Sequence, residues 1–255
     1  MSKVDWSTVK IRCSSLSCLF TEPKLKVDKD AGNLSQTAKT HLIEVYAREL
    51  WGVEKDMVTK QMQKGIEVEQ AAIGLLSCID GFPYEKWPDR AENSFISGHP
   101  DIVSGDGIID IKCSWDAFSF LPKLLEEVSS SYYYQVQGYM WLFNKKFARI
   151  SYCLVDTPEH IIEGEKYRLL RSMNVVSEDS VEFKKAFAKL RSNMIFSQIP
   201  PKLRIINHFV ERDDEIIEKI PAKVEKARDF LLEIMEKHVG LYESAASVQK
   251  KYFAD

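Results

Sequence analysis

Asp101, Asp110, Lys112 and Glu69 are the residues whose types and spacing could do chemistry together. Asp106-Gly107, between the apolar pairs at 102–103 and 108–109, is the dipeptide of a tight hairpin turn, so residues 98–112 read as two short adjacent strands. Strand side chains alternate between faces, which sets Asp110 and Lys112 beside Ile108, with Ile109, Ile111 and Cys113 opposite. Pro100 fixes φ ahead of Asp101 and brings that carboxylate to the same edge. Two carboxylates beside one ammonium would hold a divalent cation and give a water nucleophile a charged neighbour.

The elements that must position these groups follow from periodicity. Ser35 caps a helix over residues 35–51, with Leu42, Val45, Tyr46 and Leu50 at helical spacing and Gly52 as its stop. A second helix is expected from near residue 54 to 79, its apolar stripe running through Met62, Ile66, Ile73 and Leu76 with Glu69 on the same stripe. A carboxylate on a buried stripe needs a partner. Glu67 points elsewhere, so Glu69 is the acid chosen, with a structural salt bridge as its other reading. Residues 82–93 form a loop with Pro83 and Pro88, and residues 115–128 a short helix that Pro122 starts or interrupts. Ser129 and Ser130 can cap the next helix, where Gln135 and Tyr139 share a face and Gln137 projects to another side. Residues 147–155 alternate as a strand joining the central sheet. Residues 178–196 read as an amphipathic helix broken at Pro200-Pro201, 203–210 as a strand, and 213–248 as helix with a boundary at Pro221. The expected architecture is one α/β domain over 1–255, a central mixed β-sheet flanked by helices, with 178–255 as a mainly helical C-terminal part.

Hydrophobic content of 45% and charged content of 29% over 255 residues are ordinary for a globular protein and exclude a disordered chain. No apolar run is long enough to span a bilayer and the start lacks a signal pattern, so the expected location is the cytoplasm. Thirty-five Lys and Arg against thirty-eight Asp and Glu give a net charge of -3, which does not itself point to nucleic acid. A basic groove can still be local, and bound cations offset acidic ligands. Cys13, Cys18, Cys78, Cys113 and Cys153 include no C-x-x-C pair, which leaves a zinc ribbon, a disulfide framework and an Fe–S cluster without support. The five histidines are too dispersed for a His-metal site.

Pro100-Asp101 followed by Asp110-Ile111-Lys112 resembles the signature of the PD-(D/E)xK nuclease superfamily. With Glu69 upstream and Tyr132-Tyr133-Tyr134-Gln135-Val136-Gln137-Gly138-Tyr139-Met140-Trp141 downstream, the order resembles the phage-type, lambda exonuclease or YqaJ-like branch over most of residues 11–155. The resemblance implies a restriction-endonuclease-like core and a Mg²⁺-dependent deoxyribonuclease, with Mn²⁺ as the alternative ion. The activity implied is 5′–3′ exonuclease digestion of linear duplex DNA ends. It further implies work alongside a single-strand annealing protein and a homo-oligomer, a ring of three. Glu69, Asp101, Asp110 and the carbonyl of Ile111 become metal ligands, and Lys112 the group that orients water or steadies transition-state charge. Gln135 and Tyr139 become supports for the lysine and the scissile strand. Arg12 and Ser14 match positions that hold a terminal phosphate; on the residues alone they read equally as a surface arginine and a capping serine. His99, where some relatives have a phosphate-binding serine, touches the phosphate or closes the turn, and Gln137 is a further substrate contact. The rivals are an endonuclease or repair nuclease with the same site, and a non-catalytic DNA-binding relative, against which the intact Asp101, Asp110 and Lys112 speak.

Overall fold

Alternation along Gly107–Cys113 decides what packs on each side of the central strand: Ile108 enters one apolar cluster, Ile109 and Ile111 another. The structure, a computed structural model, describes residues 4–55, 58–175 and 177–253. In chain order the strands are β1 (Ile11–Arg12), β2 (Ala91–Glu92), β3 (Ile96–Gly98), β4 (Ile102–Ser104), β5 (Gly107–Cys113), β6 (Phe147–Cys153) and β7 (Ile205–Glu211). The helices are α1 (Leu16–Leu19), α2 (Lys26–Asp30), α3 (Gln36–Trp51), α4 (Lys60–Asp80), α5 (Ala117–Phe120), α6 (Ser130–Phe143), α7 (Glu159–Met173), α8 (Val181–Ser192) and α9 (Asp214–Phe253).

The main sheet has the order β4-β5-β6-β7. Its central pair is parallel and joined through α6, and its outer pairs are antiparallel, so the sheet is mixed as expected. On one face α4 lays Val68, Ala72, Ile73 and Leu76 against Ile109 and Ile111. On the other, Val136 and Met140 of α6 cover Ile108 and Ile150, and α3 and α9 complete that core with Leu42, Val45, Ile220, Val224 and Leu231. Each such aliphatic side chain contributes about 1.5–3 kcal/mol by leaving water. A small second sheet, β1-β3-β2, carries the chain into β4.

Helix ends follow the expected chemistry. The Ser35 hydroxyl accepts from the Ala38 N–H and Gly52 closes α3 at φ 68°. Thr59 caps α4, which therefore starts at Lys60 and not near residue 54; residues 56–57 lie outside the described residues. The stripe expected on α4 holds at Ile73 and Leu76, which are buried, but not in the first half of the helix. Met62 and Ile66 are 54% and 70% exposed, while Lys64, Val68, Ala72 and Leu75 turn inward, because the face that meets the sheet is set by packing and not by residue type alone. Residues 115–128 do not make one helix: Asp116 caps α5, and a 3₁₀ turn, Leu121–Leu124, follows around Pro122. Helix α7 lies in a stretch the sequence left unassigned; Ile161 and Ile162 are its buried residues. Pro221 does not divide the C-terminal helix but sits inside α9, where buried Ile217, Ile220 and Val224 hold the turns on both sides. No described helix is long and apolar enough to cross a membrane.

Candidate active site

The site begins where β4 stops. Its antiparallel register pairs Ile102 with Ile109; one and two steps further would set Asp101 against Asp110 and Pro100 against Ile111. Proline has no N–H to offer the Ile111 carbonyl, so the ladder ends there. The Ile111 N–H is taken instead by a side chain, donating to Asp101 Oδ2 at 2.6 Å. In a strand the N–H and C=O of one residue point the same way, so the Ile111 carbonyl faces the edge that Asp101 occupies. The Pro-Asp dipeptide thus brings one carboxylate and one main-chain oxygen to a single strand edge.

Asp110 is 2% exposed and held from helix α6. Gln135 Nε2 donates to Asp110 Oδ1 at 3.1 Å and to the Tyr139 hydroxyl at 2.9 Å, and that hydroxyl donates to the His99 carbonyl at 3.3 Å. Gln135 and Tyr139 therefore brace Asp110, and not the lysine as the sequence reading had it. Lys112 Nζ lies 2.8 Å from Asp110 Oδ2 and over the Tyr132 ring at 4.7 Å. This ammonium is the partner of the buried Oδ2. Burial and the neighbouring Asp110 charge push the Asp101 carboxyl upward, against the Ile111 N–H and Lys112, which lower it. Burial alone would lower Lys112, but Asp110 and then Asp101 reverse this and hold it above its ordinary value.

A cleft of about 390 Å³ opens beside these groups, lined by Met62, Ile66 and Glu69 of α4 together with Asp101, Ile111, Lys112 and Tyr132. Two carboxylates that repel each other, together with a main-chain carbonyl at the same strand edge, make a set of hard oxygen atoms that suits a hard divalent cation. Among the described residues no three His, Cys, Asp or Glu side chains group into a ligand cage, and Glu69 pairs with Lys86, 2.5 Å away.

The remaining candidates lie elsewhere. Arg12 pairs with Glu54 at 2.6 Å and lines a separate cleft with Lys10, Arg48 and Ser97, while Ser14 is exposed in the 3₁₀ turn Cys13–Ser15. The exposed His99 ring shares a 2.8 Å hydrogen bond with the Trp87 carbonyl, closing the turn ahead of Asp101. Gln137 is no substrate contact. It is fully buried, donates to the Glu211 carbonyl at 2.8 Å and accepts from the Asp213 N–H at 2.9 Å, so both ends of its amide tie α6 to the junction of β7 and α9. Sequence reasoning missed Lys64, a fully buried lysine whose ammonium donates to the Ser114 and Trp115 carbonyls at 2.9 Å each and fastens the chain leaving β5. Its polar type, within a stripe traced through Met62 and Ile66, hid it.

A mixed sheet with helices on both faces and acid-lysine chemistry at the edge of its central hairpin defines an α/β fold of nuclease type. No family model and no curated protein matches the chain. Solved structures do. A phage-related exonuclease from Haemophilus somnus is 32% identical with a TM-score of 0.70, over 91% of this chain and 97% of that one. An alkaline exonuclease from Laribacter hongkongensis is 16% identical with a TM-score of 0.59, over 96% and 98% of the two chains. A structure of that exonuclease with dAMP aligns at 17% identity and a TM-score of 0.58, over 94% of each chain. The chain belongs to the phage-type exonuclease family, the lambda exonuclease or YqaJ-like branch of the PD-(D/E)xK superfamily.

Proposed function

We propose that the chain is a Mg²⁺-dependent deoxyribonuclease that digests linear duplex DNA from its 5′ ends. What supports this reading is a cleft lined by Asp101 and Lys112, with the buried Asp110 paired to Lys112 behind it, in a chain 32% identical to a phage-related exonuclease. When bound, the cation supplies Lewis-acid activation of water and neutralises charge at the phosphoryl group. Asp101, Asp110, the Ile111 carbonyl and Glu69 would hold it. Lys112, 24% exposed beside Asp110, orients the attacking water and steadies the negative charge that builds on the phosphate oxygens. Gln135, with Tyr139 behind it, keeps Asp110 aimed. Arg12, Ser14 and His99 belong to this reading as contacts to a terminal phosphate. A homo-oligomer, with three copies the number implied, and a single-strand annealing partner also belong to it. Light scattering after size-exclusion chromatography tests the oligomer.

The decisive experiment compares 5′-end-labelled linear duplex with covalently closed circular DNA in Mg²⁺. Linear DNA is digested from its 5′ ends, the circle survives, and EDTA stops the reaction. Asp110→Ala lowers the rate by roughly 10³-fold, the order expected when charge stabilisation at a reacting centre is lost. Cleavage of the circle would point to an endonuclease, and an Asp110→Ala variant as active as the parent would remove the site.

A further inference from the structure

Lys86 has no role in the machinery described above, yet its Nζ is 2.5 Å from Glu69 Oε2. The main chain beside it is pinned to the site: the Trp87 N–H donates to the Asp101 carbonyl at 2.8 Å, and the Trp87 carbonyl meets His99 Nε2 at 2.8 Å. The Trp87 ring also packs edge-on against Phe143 at 5.4 Å. A rigid base therefore carries a flexible four-carbon arm, whose side chain is 45% exposed while that of Glu69 is 19% exposed. The loop that follows α4 thus returns an ammonium to the carboxylate of α4 that lines the cleft.

Glu69 cannot serve two cations without bringing like charges together. Its present partner is an ammonium, and among the described residues no three His, Cys, Asp or Glu side chains group into a ligand cage. We propose that Lys86 competes with the divalent cation for Glu69, and that DNA backbone entering the cleft draws the ammonium onto a phosphate and frees the carboxylate. Cation and DNA then load together, and the protein without DNA holds its cation weakly. This rests on the reading of Asp101 and Asp110 as cation ligands.

The test measures Mn²⁺ binding by the full chain, from loss of the free Mn²⁺ resonance signal. It is run alone and with a duplex oligonucleotide whose linkages are phosphorothioate, so that nothing is digested. Lys86→Met, at a half-exposed position, is checked for folding by circular dichroism. Without DNA it binds Mn²⁺ about three- to fivefold tighter than the parent, the scale of one partly exposed ion pair. The duplex tightens Mn²⁺ binding less in Lys86→Met than in the parent, and in a Glu69→Gln background Lys86→Met has no effect on Mn²⁺. Mn²⁺ binding by the parent with equal or weaker affinity in Lys86→Met overturns the role of Lys86 and leaves the cation site standing. An equal gain in the Glu69→Gln background does the same. Absence of Mn²⁺ binding in parent and variant alike overturns the cation site, and this inference with it.

Discussion

Replacing Gln135 with Met keeps the length of the side chain and removes its amide. In the parent that amide donates 3.1 Å to Asp110 Oδ1 and 2.9 Å to the Tyr139 hydroxyl. Gln135 is 8% exposed and Asp110 2%, so water does not readily take the amide's place. A hydrogen bond to a charged, buried acceptor is worth about 1.5–3 kcal/mol, and Lys112 offsets part of its loss, so Gln135→Met is expected to cost about 2 kcal/mol of stability. The larger effect is on aim. Groups that orient ligand carboxylates matter by about 10–100-fold in metal affinity or activity. The assay is digestion of 5′-end-labelled linear duplex across a Mg²⁺ titration, with urea unfolding followed in parallel. The expected outcome is a rate about 10–100-fold lower at limiting Mg²⁺, recovering in part as Mg²⁺ is raised. Parent-like digestion at every Mg²⁺ concentration would refute the claim that α6 positions Asp110.

Two further perturbations test the frame around the site. Burial lowers the Lys64 ammonium from 10.5 to about 8. Between these values the unfolded chain binds more protons than the folded one, so this group makes stability rise with pH across that window, by up to about 3 kcal/mol. Lys64→Met lacks the group; the urea-midpoint advantage of the parent over it should therefore widen from pH 7 to pH 10.5, and a constant gap would contradict the assignment. A Cβ on Gly98 would meet Tyr139 ring carbons at 2.7 and 2.8 Å and the Cys13 sulfur at 2.8 Å. Gly98→Ala is expected to cost about 1–3 kcal/mol and to slow digestion by shifting Tyr139 from Gln135; unchanged urea midpoints would show that the ring gives way freely.

Legibility in the sequence tracked how local each cause is. The face change between Ile108 and Ile109 and the caps at Ser35 and Ser129 are set within a few residues, and all are present; the hairpin also forms, but its two-residue loop is Gly105-Asp106, with Gly105 at φ 51° and Ser104 paired to Gly107, and not the expected Asp106-Gly107. Pro100-Asp101 was readable because one residue lacks a donor and the next supplies an acceptor. What failed depends on distant packing. Met62 and Ile66 have the spacing of a core stripe but border an open cleft, while Lys64 is buried because two carbonyls from the chain leaving β5 happen to meet it. Gln137 shares its helix with Gln135, yet the partners that decide its role, at Glu211 and Asp213, lie far along the chain. Pro221 reads as a breaker until the buried residues on either side of it are known.

The early end of β4 has a consequence for how copies of this molecule behave in a crowd. A strand left bare at a sheet margin is a template onto which foreign chains can add, and natural sheets guard such margins with proline and charge. Here the guard is Pro100 and Asp101, with the carboxylate already seated on the Ile111 amide. The same two residues open a window for a ligand and deny it to an invading strand, so this margin is also sealed against fibre growth.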